Sequence, residues 1–464
     1  MRCGVPTLAS TDTSTNWPIR VRAPKPQSAA RVRTIRIGIL GLGQVGQAVA
    51  RLAADHAATA HAGLRFQVEQ ALVRDVAKAR TCPSPVRVTN NTAAFLRGHY
   101  DVVIEALDAV EPARTVIARL LARGTAVVTA NKALVAAHGV HLESIAASRG
   151  AAFRYEATAL AAVPFLGTLA DRPLVASVDR VLAIVNGTSN YVLTALAQPG
   201  VSFDQALRGA QELGYAEPDP SRDLDGLDAA DKLVLLTSLF GWGRLSGEAL
   251  DVSGIRHVTA GDLAAARSIG GTIKPVVAAE RDAVGVRAFV GPAFLPSAEP
   301  LASLGGAING IRLDGRHVSN LFFSGPGAGP DVTAATLLDD AIQATATLHS
   351  GAGAERSAGL RLGPAPERSA RLRLGPGPQR SPVFPSSPAT PWFLRVTFPG
   401  VLPAANAIAP LVAAAGLPVE RVADYASANS RWICIAPQSR RDVDAAIEKL
   451  STTHRIEAVA LRRL

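Results

Sequence analysis

The stretch TIRIGILGLGQVGQAVARLAA, residues 34–54, decides the fold of the amino-terminal part of the chain. It opens with an apolar run, passes through Gly41-Leu42-Gly43-Gln44-Val45-Gly46 and continues as an amphipathic segment. Glycines at this spacing allow a tight turn and a close approach of backbone N–H groups to a pyrophosphate, which the following helix N-terminus helps to neutralise. Because the motif follows a predicted strand and opens a predicted helix, it predicts a dinucleotide-binding site rather than a plain glycine-rich turn.

The same alternation of apolar runs and amphipathic segments continues to about Gly150. TIRIGIL, FQVEQALVRD, DVVIEAL and AVVTAN have the pattern of buried strands, and helices are predicted between them, from Val45 and from Glu111. Such alternation predicts an α/β domain with a Rossmann-type, doubly wound parallel sheet over residues 34–150. A helix at about 331–348 is expected to complete this domain.

The remaining sequence divides into segments of different character. Residues 151–330 mix strand and helix patterns and predict an α+β domain. Residues 392–464 show a βαββαβ order, which predicts a small ferredoxin-like domain. Residues 350–391 contain the near-duplicate ERSAGLRLGPAP and ERSARLRLGPGP, typical of a low-complexity linker that couples its neighbours weakly, and residues 1–33 are predicted to be a disordered tail.

Composition narrows the class of protein. The chain has 464 residues, 48% of them hydrophobic, which is enough for a globular protein of several domains. Much of the net charge of +10 falls in the tail and the linker, so a nucleic-acid partner is not expected. The sequence has neither a membrane-length apolar run nor a secretory signal, and its three cysteines, Cys3, Cys82 and Cys434, are far apart. We therefore expect a cytoplasmic protein without membrane association, disulfides or a zinc site.

The second strand ends near Val73 and is followed by Arg74 and Lys78. In a dinucleotide-binding domain this position meets the ribose 2′ group, and basic side chains there could pair with a 2′-phosphate. The pattern favours NADP over NAD, although the two side chains could equally be solvated surface bases.

Two further segments carry candidate catalytic chemistry. Lys132 follows a predicted strand, at the sheet edge where ligands bind in open α/β folds. Five carboxylates precede or enter an apolar helix: Glu217, Asp219, Asp223, Asp225 and Asp228. Asp228 and Lys232 are one helical turn apart and can pair, and Lys232 could then shuttle a proton to a substrate oxygen while hydride moves to or from a nicotinamide. A solvated acidic loop with a surface ion pair is the competing interpretation.

Taken together, these motifs resemble the homoserine dehydrogenase family from Thr34 to about Ile342. The resemblance rests on the glycine motif and on TANKAL (129–134), YEA (155–157), VNGTSNYVL (185–193), GYAEPDPSRDLDGLDAADK (214–232) and GPGAGPDVTA (325–334). It implies an NAD(P)-dependent oxidoreductase that interconverts L-homoserine and L-aspartate 4-semialdehyde in threonine and methionine biosynthesis. The segment from Trp392 resembles an ACT domain, for which threonine would be the effector. The family resemblance also implies that residues 151–330 are the substrate and dimerisation domain of a homodimer or higher oligomer.

The resemblance also implies roles for individual residues. Lys232 would be the proton donor and acceptor, Lys132 would lie between cofactor and substrate, and Asp228 would orient the reacting groups. Homoserine would be bound by Glu217 and Asp223, with Asn186, Gly187 and Thr188 nearby. A monovalent cation, Na⁺ or K⁺, would be held by Glu156 and the backbone carbonyls of Ala159, Ala161 and Val163.

Two departures from the family pattern define an alternative. Where the family has a glycine-rich run, this chain has Thr158-Ala-Leu-Ala-Ala-Val163, and a usual pair of glycines is replaced by Asp108-Ala109. An added Cβ restricts backbone approach and positive φ, which could lower turnover. The alternative is a catalytically weak or inactive relative that senses nucleotide and amino acid. A thioester-forming semialdehyde dehydrogenase is a weaker alternative, because no cysteine falls at a strand end beside the proposed site.

Overall fold

The computed structural model of the chain describes residues 32–55, 63–82, 86–170, 172, 177–243, 245, 250–283, 285–349, 390–400, 402–427 and 429–464. Except for residues 32 and 33, the predicted tail lies outside the described residues. Except for residues 390 and 391, so does the predicted linker.

Within these ranges the strands are β1 (Arg33–Leu40), β2 (Leu64–Leu72), β3 (Arg87–Thr89), β4 (Val102–Glu105), β5 (Ala126–Thr129), β6 (Phe153–Arg154), β7 (Val178–Ile184), β8 (Leu250–Val252), β9 (Gly271–Arg281), β10 (Val286–Pro296), β11 (Ile308–Gly315), β12 (Val318–Pro326), β13 (Thr390–Thr397), β14 (Val419–Ala426), β15 (Ser430–Gln438) and β16 (Glu457–Arg463). The α-helices are α1 (Gln44–Ala54), α2 (Thr92–Leu96), α3 (Val110–Leu121), α4 (Lys132–Ser148), α5 (Ala157–Leu160), α6 (Leu166–Ala170), α7 (Gly187–Leu196), α8 (Phe203–Glu212), α9 (Ser221–Leu224), α10 (Leu227–Leu239), α11 (Ala260–Ser268), α12 (Pro330–His349), α13 (Ala405–Ala414) and α14 (Arg440–His454).

The first sheet is parallel throughout, with strand order β3-β2-β1-β4-β5-β6. Its inner strands β4 and β5 are fully buried because helices cover both faces of the sheet. One face packs on α1 and α12, and the other on α3 and α4. The order reverses between β1 and β4, so a crevice opens at the carboxyl ends of those strands, where open α/β sheets bind ligands.

Helix α12 returns from the second sheet to pack on the first, through Leu337, Leu338 and Ala341. Arg33, at the start of β1, donates a hydrogen bond to the Thr345 carbonyl. The C-terminal half of α12 therefore lies at the amino edge of the parallel sheet. Its N-terminus, and the loop before it, lie toward the carboxyl edge.

The second sheet has ten strands, in the order β12-β11-β7-β9-β10-β16-β13-β15-β14, with β8 paired to β10. Its central strands β7, β9, β10, β11 and β12 pair antiparallel. Helix α10 covers one face of these strands and contributes Leu233, Leu235 and Leu236 to their core.

The strands after residue 390 extend this second sheet. They have the element order β13-α13-β14-β15-α14-β16 and pair antiparallel in the order β16-β13-β15-β14. β16 joins the central strands by a short parallel pairing with β10. Phe393, Trp432 and Leu461 also share a core with residues of α7, α8 and α11. The linker sequence predicts weak coupling between the segment after residue 390 and the rest of the chain. The shared buried apolar surface instead favours close coupling between these two parts.

Within the described ranges, none of the helices combines the length and apolar character needed to span a bilayer.

Candidate active site

The glycine motif forms the turn between β1 and α1. Gly41 has a φ of +90°, a conformation that favours glycine, and a Cβ there would stand 2.7 Å from the Ala106 carbonyl oxygen. Gly43 is the N-cap of α1, and nothing lies within 4 Å of the position its Cβ would take. The turn is thus close-packed at Gly41 and open at Gly43, which leaves room for a phosphate at the N-terminus of α1.

Arg74 and Lys78 follow β2 at the same edge of the sheet, and both are exposed. Neither forms an ion pair with any residue that the structure describes. The carboxylate of Asp75, between these two residues, is turned to its own backbone and accepts a hydrogen bond from the Ala77 N–H at 2.8 Å. Two unpaired cations therefore lie at the position that a ribose 2′ group approaches.

A buried network at the ends of β4 and β5 was missed by the sequence reasoning. Glu105 is fully buried and accepts hydrogen bonds from the Thr129 hydroxyl, from the Leu107 N–H at 2.7 Å and from the Asn131 side chain at 3.4 Å. Burial raises the pKa of Glu105 to about 7, although these hydrogen bonds favour the ionised form. The only signal in the sequence was a glutamate at the end of an apolar strand.

This network positions Lys132. Asn131 caps α4 by accepting a hydrogen bond from the Leu134 N–H at 2.9 Å, and its Nδ2 donates to the Ala109 carbonyl at 3.0 Å. Lys132 is the first residue of that helix. The cap therefore fixes both the lysine and the loop that carries the Asp108-Ala109 departure, where the Asp108 side chain is exposed.

Lys132, Asp228 and Lys232 form one cluster that bridges the two sheets. The Asp228 carboxylate contacts Lys132 Nζ at 2.5 Å through Oδ1 and Lys232 Nζ at 3.0 Å through Oδ2. Burial opposes ionisation of Asp228, but the ammonium groups of Lys232 and Lys132 hold its pKa well below the usual range. Lys232 Nζ also donates to the Val185 carbonyl at 2.7 Å. The aspartate is thus a fixed negative charge that orients two cations at the end of β7.

Asn186 connects this cluster to the acidic loop. Its Oδ1 caps α7 by accepting from the Ser189 N–H, and its Nδ2 donates to Asp223 Oδ1 at 2.7 Å and to Asp228 Oδ2 at 3.1 Å. At Gly187 a Cβ would stand 3.1 Å from the Ala307 carbonyl, so the helix start is close-packed. The Thr188 hydroxyl donates to the Tyr215 carbonyl at 2.5 Å, which ties the start of α7 to the loop before α9.

The five carboxylates that precede or enter α10 do not all face the same space. Asp225 pairs with Arg256 at 2.6 Å, and Asp219 accepts from the Ser221 N–H at 3.1 Å, so both serve the local structure. Glu217 has an exposed side chain. Asp223 and Asp228 are the two carboxylates that converge on Asn186.

Three of the four groups expected to hold a monovalent cation accept hydrogen bonds from neighbouring protein groups. The Glu156 carboxylate accepts from the Phe165, Leu166 and Gly167 N–H groups at 3.0, 2.8 and 2.5 Å, as a cap at the start of α6. The Ala161 carbonyl accepts from the Thr336 hydroxyl at 2.9 Å, and the Val163 carbonyl from the Phe165 N–H at 3.0 Å. The Glu156 carboxylate therefore caps the start of α6 in this arrangement, and the cation site stays a prediction from the family resemblance.

Ala161 itself has a φ of +43°, although it is not a glycine. The segment thus keeps a backbone conformation that glycine adopts readily and alanine adopts at a cost.

A nucleotide-binding edge that faces a lysine–aspartate–lysine cluster across the cleft defines the class: an oxidoreductase that uses a nicotinamide nucleotide. Comparison with known families agrees. A family model described as the NAD binding domain of homoserine dehydrogenase matches residues 41–156, and one described as homoserine dehydrogenase matches residues 164–342. The chain belongs to the homoserine dehydrogenase family.

Individual relatives span most of the same region. Homoserine dehydrogenase of Mycobacterium leprae is 37% identical over 320 residues, which cover 67% of this chain and 72% of that protein. The Synechocystis homoserine dehydrogenase is 35% identical over 315 residues, covering 67% and 73%.

Solved structures extend the likeness. The crystal structure of a homoserine dehydrogenase from Thiobacillus denitrificans is 28% identical, with a TM-score of 0.75 that covers 93% of this chain and 98% of that one. A hyperthermophilic archaeal homoserine dehydrogenase, solved in complex with NADPH, is 25% identical with a TM-score of 0.55, covering 68% and 98%.

Proposed function

We propose that this enzyme interconverts L-homoserine and L-aspartate 4-semialdehyde, with Lys232 as the proton donor and acceptor. The observation that carries this proposal is the contact of Asp228 with both Lys132 and Lys232 at the end of β7. A charge-paired lysine at the mouth of a nucleotide crevice is suited to protonating an oxygen at the moment hydride arrives at the neighbouring carbon.

Lys232 has three N–H groups, and two are directed at protein acceptors, the Val185 carbonyl and Asp228. The third is available to a substrate oxygen. The nicotinamide, when bound, supplies or accepts the hydride. In the reducing direction the electron pair of the aldehyde C=O bond moves to oxygen, which takes a proton from Lys232. In the oxidising direction neutral Lys232 takes the hydroxyl proton as the C–H bond gives up its hydride.

Lys132 and Asp228 serve this transfer by position. The second ammonium, Lys132, lies where the α4 cap holds it, between the nucleotide crevice and the acidic loop, and adds positive charge beside the developing alkoxide. Asp228 fixes both ammonium groups. We assign the α-ammonium group of the substrate to Asp223 and Glu217, with Asn186, Gly187 and Thr188 shaping the pocket, because opposite charges attract strongly at a partly dry site.

For the nucleotide we propose NADP, on the strength of the exposed cations at Arg74 and Lys78. The test is a steady-state comparison of NADP and NAD in the double variant Arg74→Ala/Lys78→Ala. The KM for NADP should rise by about tenfold or more while that for NAD stays the same, since each lost phosphate contact removes a charge-assisted hydrogen bond. An equal effect on both nucleotides would contradict the assignment.

The monovalent cation at Glu156, Ala159, Ala161 and Val163 remains a prediction from the family resemblance, and no step is assigned to it. Initial rates in Na⁺, K⁺ and tetramethylammonium buffers at one ionic strength test it. A rate that requires the alkali ion would support the site, and equal rates would not.

We propose that the segment from Trp392 is an ACT-like effector domain of ferredoxin-like topology, the last of the units at 34–150, 151–330 and 392–464. Its support is the βαββαβ order and the antiparallel strand order β16-β13-β15-β14. Threonine is the proposed effector, and a homodimer is the proposed assembly. Sedimentation velocity with and without threonine tests both.

The segment before and within α11 gives the effector domain a route to the acidic loop. Asp262 is buried, and its carboxylate accepts from Trp432 Nε1 at 2.6 Å and from Arg395 Nη1 at 2.5 Å. Ahead of the same helix, Ile255 N–H donates to the Leu224 carbonyl at 2.8 Å, next to Asp223. Asp262→Asn should therefore weaken threonine inhibition more than it lowers the uninhibited rate. Unchanged inhibition would remove this route.

The first experiment on function is homoserine-dependent reduction of NADP by the purified protein at alkaline pH, where product formation is favoured. Turnover supports the proposal. Nucleotide binding without turnover in either direction would favour the sensor alternative, which the named relatives do not favour. The thioester alternative has less support. Among the described residues, Cys82 packs against the core of the first sheet and Cys434 is buried in the core around β15, and burial raises the pKa of both thiols; Cys3 lies outside the described residues.

A further inference from the structure

Asn309 lies on β11, next to the catalytic cluster but outside every contact assigned so far. Its side chain is fully buried, and neither Oδ1 nor Nδ2 has a hydrogen-bond partner among the described residues. A buried amide that lacks all its partners is unfavourable and rare, so its position calls for a partner that this arrangement of the chain does not supply.

The strand register places Asn309 beside Lys232. Gly310 of β11 pairs antiparallel with Ile184 of β7, so Asn309 stands across from Val185, whose carbonyl accepts the Lys232 ammonium. Opposed residues on antiparallel strands project to the same face of a sheet, and this face bears the core that α10 covers. Asn309 is therefore on the catalytic side of the sheet.

The loop at residues 327–329, between β12 and α12, lies over Asn309. A Cβ at Gly327 would overlap the Asn309 amide group, so only a glycine allows the loop backbone to lie this close. In the described part of the chain, the N–H groups of residues 327–329 form one hydrogen bond, a long one of 3.4 Å from Gly327 to the Ala307 carbonyl. An exposed backbone with so few hydrogen bonds opens and closes readily.

This loop also belongs to the cofactor side of the cleft. It leads directly into α12, whose N-terminus lies toward the carboxyl edge of the parallel sheet. A peptide group offers one donor and one acceptor, the same pair that the unpaired Asn309 amide requires.

We propose that Asn309 is a positioning residue that latches the 327–329 loop: when nucleotide occupies the cleft, its amide pairs with a peptide group of that loop and holds the loop against the Lys232 side of the site. Only the expected fall in kcat/KM for homoserine rests on the proposed reaction. The latch itself is a binding event and can be measured without turnover.

The variant that tests the latch is Asn309→Leu, which keeps the branched shape and removes both polar atoms. Asn190→Leu is the matched control, because Asn190 is equally buried but its Nδ2 donates to the Ile308 carbonyl at 3.0 Å and to the Leu304 carbonyl at 3.3 Å. In the ligand-free protein, Asn309→Leu should unfold at an equal or higher denaturant concentration, whereas Asn190→Leu should unfold at a lower one.

The functional measurement is hydrogen exchange of the backbone amides of residues 327–329 and 331–333 with and without NADPH. Wild type and Asn190→Leu should gain protection of about tenfold or more on binding, and Asn309→Leu should lose most of that gain. The kcat/KM for homoserine should fall about tenfold in Asn309→Leu alone.

Two results would overturn the latch. One is NADPH protection of the loop that persists in Asn309→Leu, or that is missing from wild type. The other is a loss of stability in Asn309→Leu with unchanged protection, which would make Asn309 an ordinary core residue. Failure of the proposed reaction would instead appear as absent turnover in wild type, with the exchange result still readable.

Discussion

Removing the charge of Asp228 should damage stability and catalysis together. In Asp228→Asn, the ammonium groups of Lys132 and Lys232, now 2.5 and 3.0 Å from the carboxylate oxygens, face each other with no counter-charge. Each pair is worth about 4 kcal/mol at charge separations of ~4 Å and an effective dielectric constant of ~20. The neutral amide does not bear the cost of burying a charge, which offsets several kcal/mol of this loss. The Asp228 side chain is 20% exposed. We expect a net loss of about 2–4 kcal/mol.

The assay is urea unfolding of the ligand-free protein, together with kcat for homoserine oxidation. The midpoint should fall with no change in slope, and kcat should fall at least about a hundredfold, because Lys132 and Lys232 both lose the charge that orients them and Lys232 keeps only its hydrogen bond to the Val185 carbonyl. Asp231→Asn is the matched control on the same helix. Asp231 pairs with Arg222 at 2.6 Å, and their side chains are 55% and 65% exposed, so the loss should stay within about 0.5 kcal/mol. Equal losses in the two variants would refute the reasoning.

Two further predictions concern backbone strain and pH. Ala161→Gly should raise the free energy of unfolding by about 1 kcal/mol, because the φ of +43° suits glycine, whereas Ala159→Gly within α5 should lower it, as chemical denaturation can show. Glu105→Gln should flatten the pH dependence of stability. Burial raises the pKa of Glu105 from 4.5 to about 7, so the folded protein binds this proton more tightly than the unfolded chain does. The free energy of unfolding of the wild type should therefore fall by about 3 kcal/mol as the pH rises from the unfolded to the folded pKa. Asp340, whose pKa burial also raises to about 7, leaves a residual slope, and an unchanged slope in Glu105→Gln would be the contrary result.

The parts of the fold that could be predicted from sequence are those set by local pattern. The β1–glycine–α1 unit follows from residues adjacent in the chain, and the ion pair between Asp228 and Lys232 follows from their spacing on one helix. The element order after residue 390 also follows from short-range pattern.

What could not be predicted depends on contacts between distant segments. Lys132 and Asp228 are 96 residues apart, and no spacing rule brings them together. The partner of Asp225 could not be predicted for the same reason, because Arg256 pairs with it from the segment before α11. The pairing of β16 with β10 could not be predicted either, because the two strands lie far apart in the sequence. The sequence does not indicate a role for Asn309, because an isolated asparagine in a strand belongs to no recognisable pattern.

The central claim is that Lys232 moves the proton, and the most direct test is the rate of homoserine-dependent NADP reduction by Lys232→Met. Lys449→Met, at an exposed lysine on α14 that donates to the Ala414 carbonyl, is the control. We predict that Lys232→Met binds NADPH and unfolds like wild type but loses kcat by at least about a hundredfold, whereas the control keeps it. A Lys232→Met enzyme that retains more than about a tenth of the wild-type kcat would contradict the account.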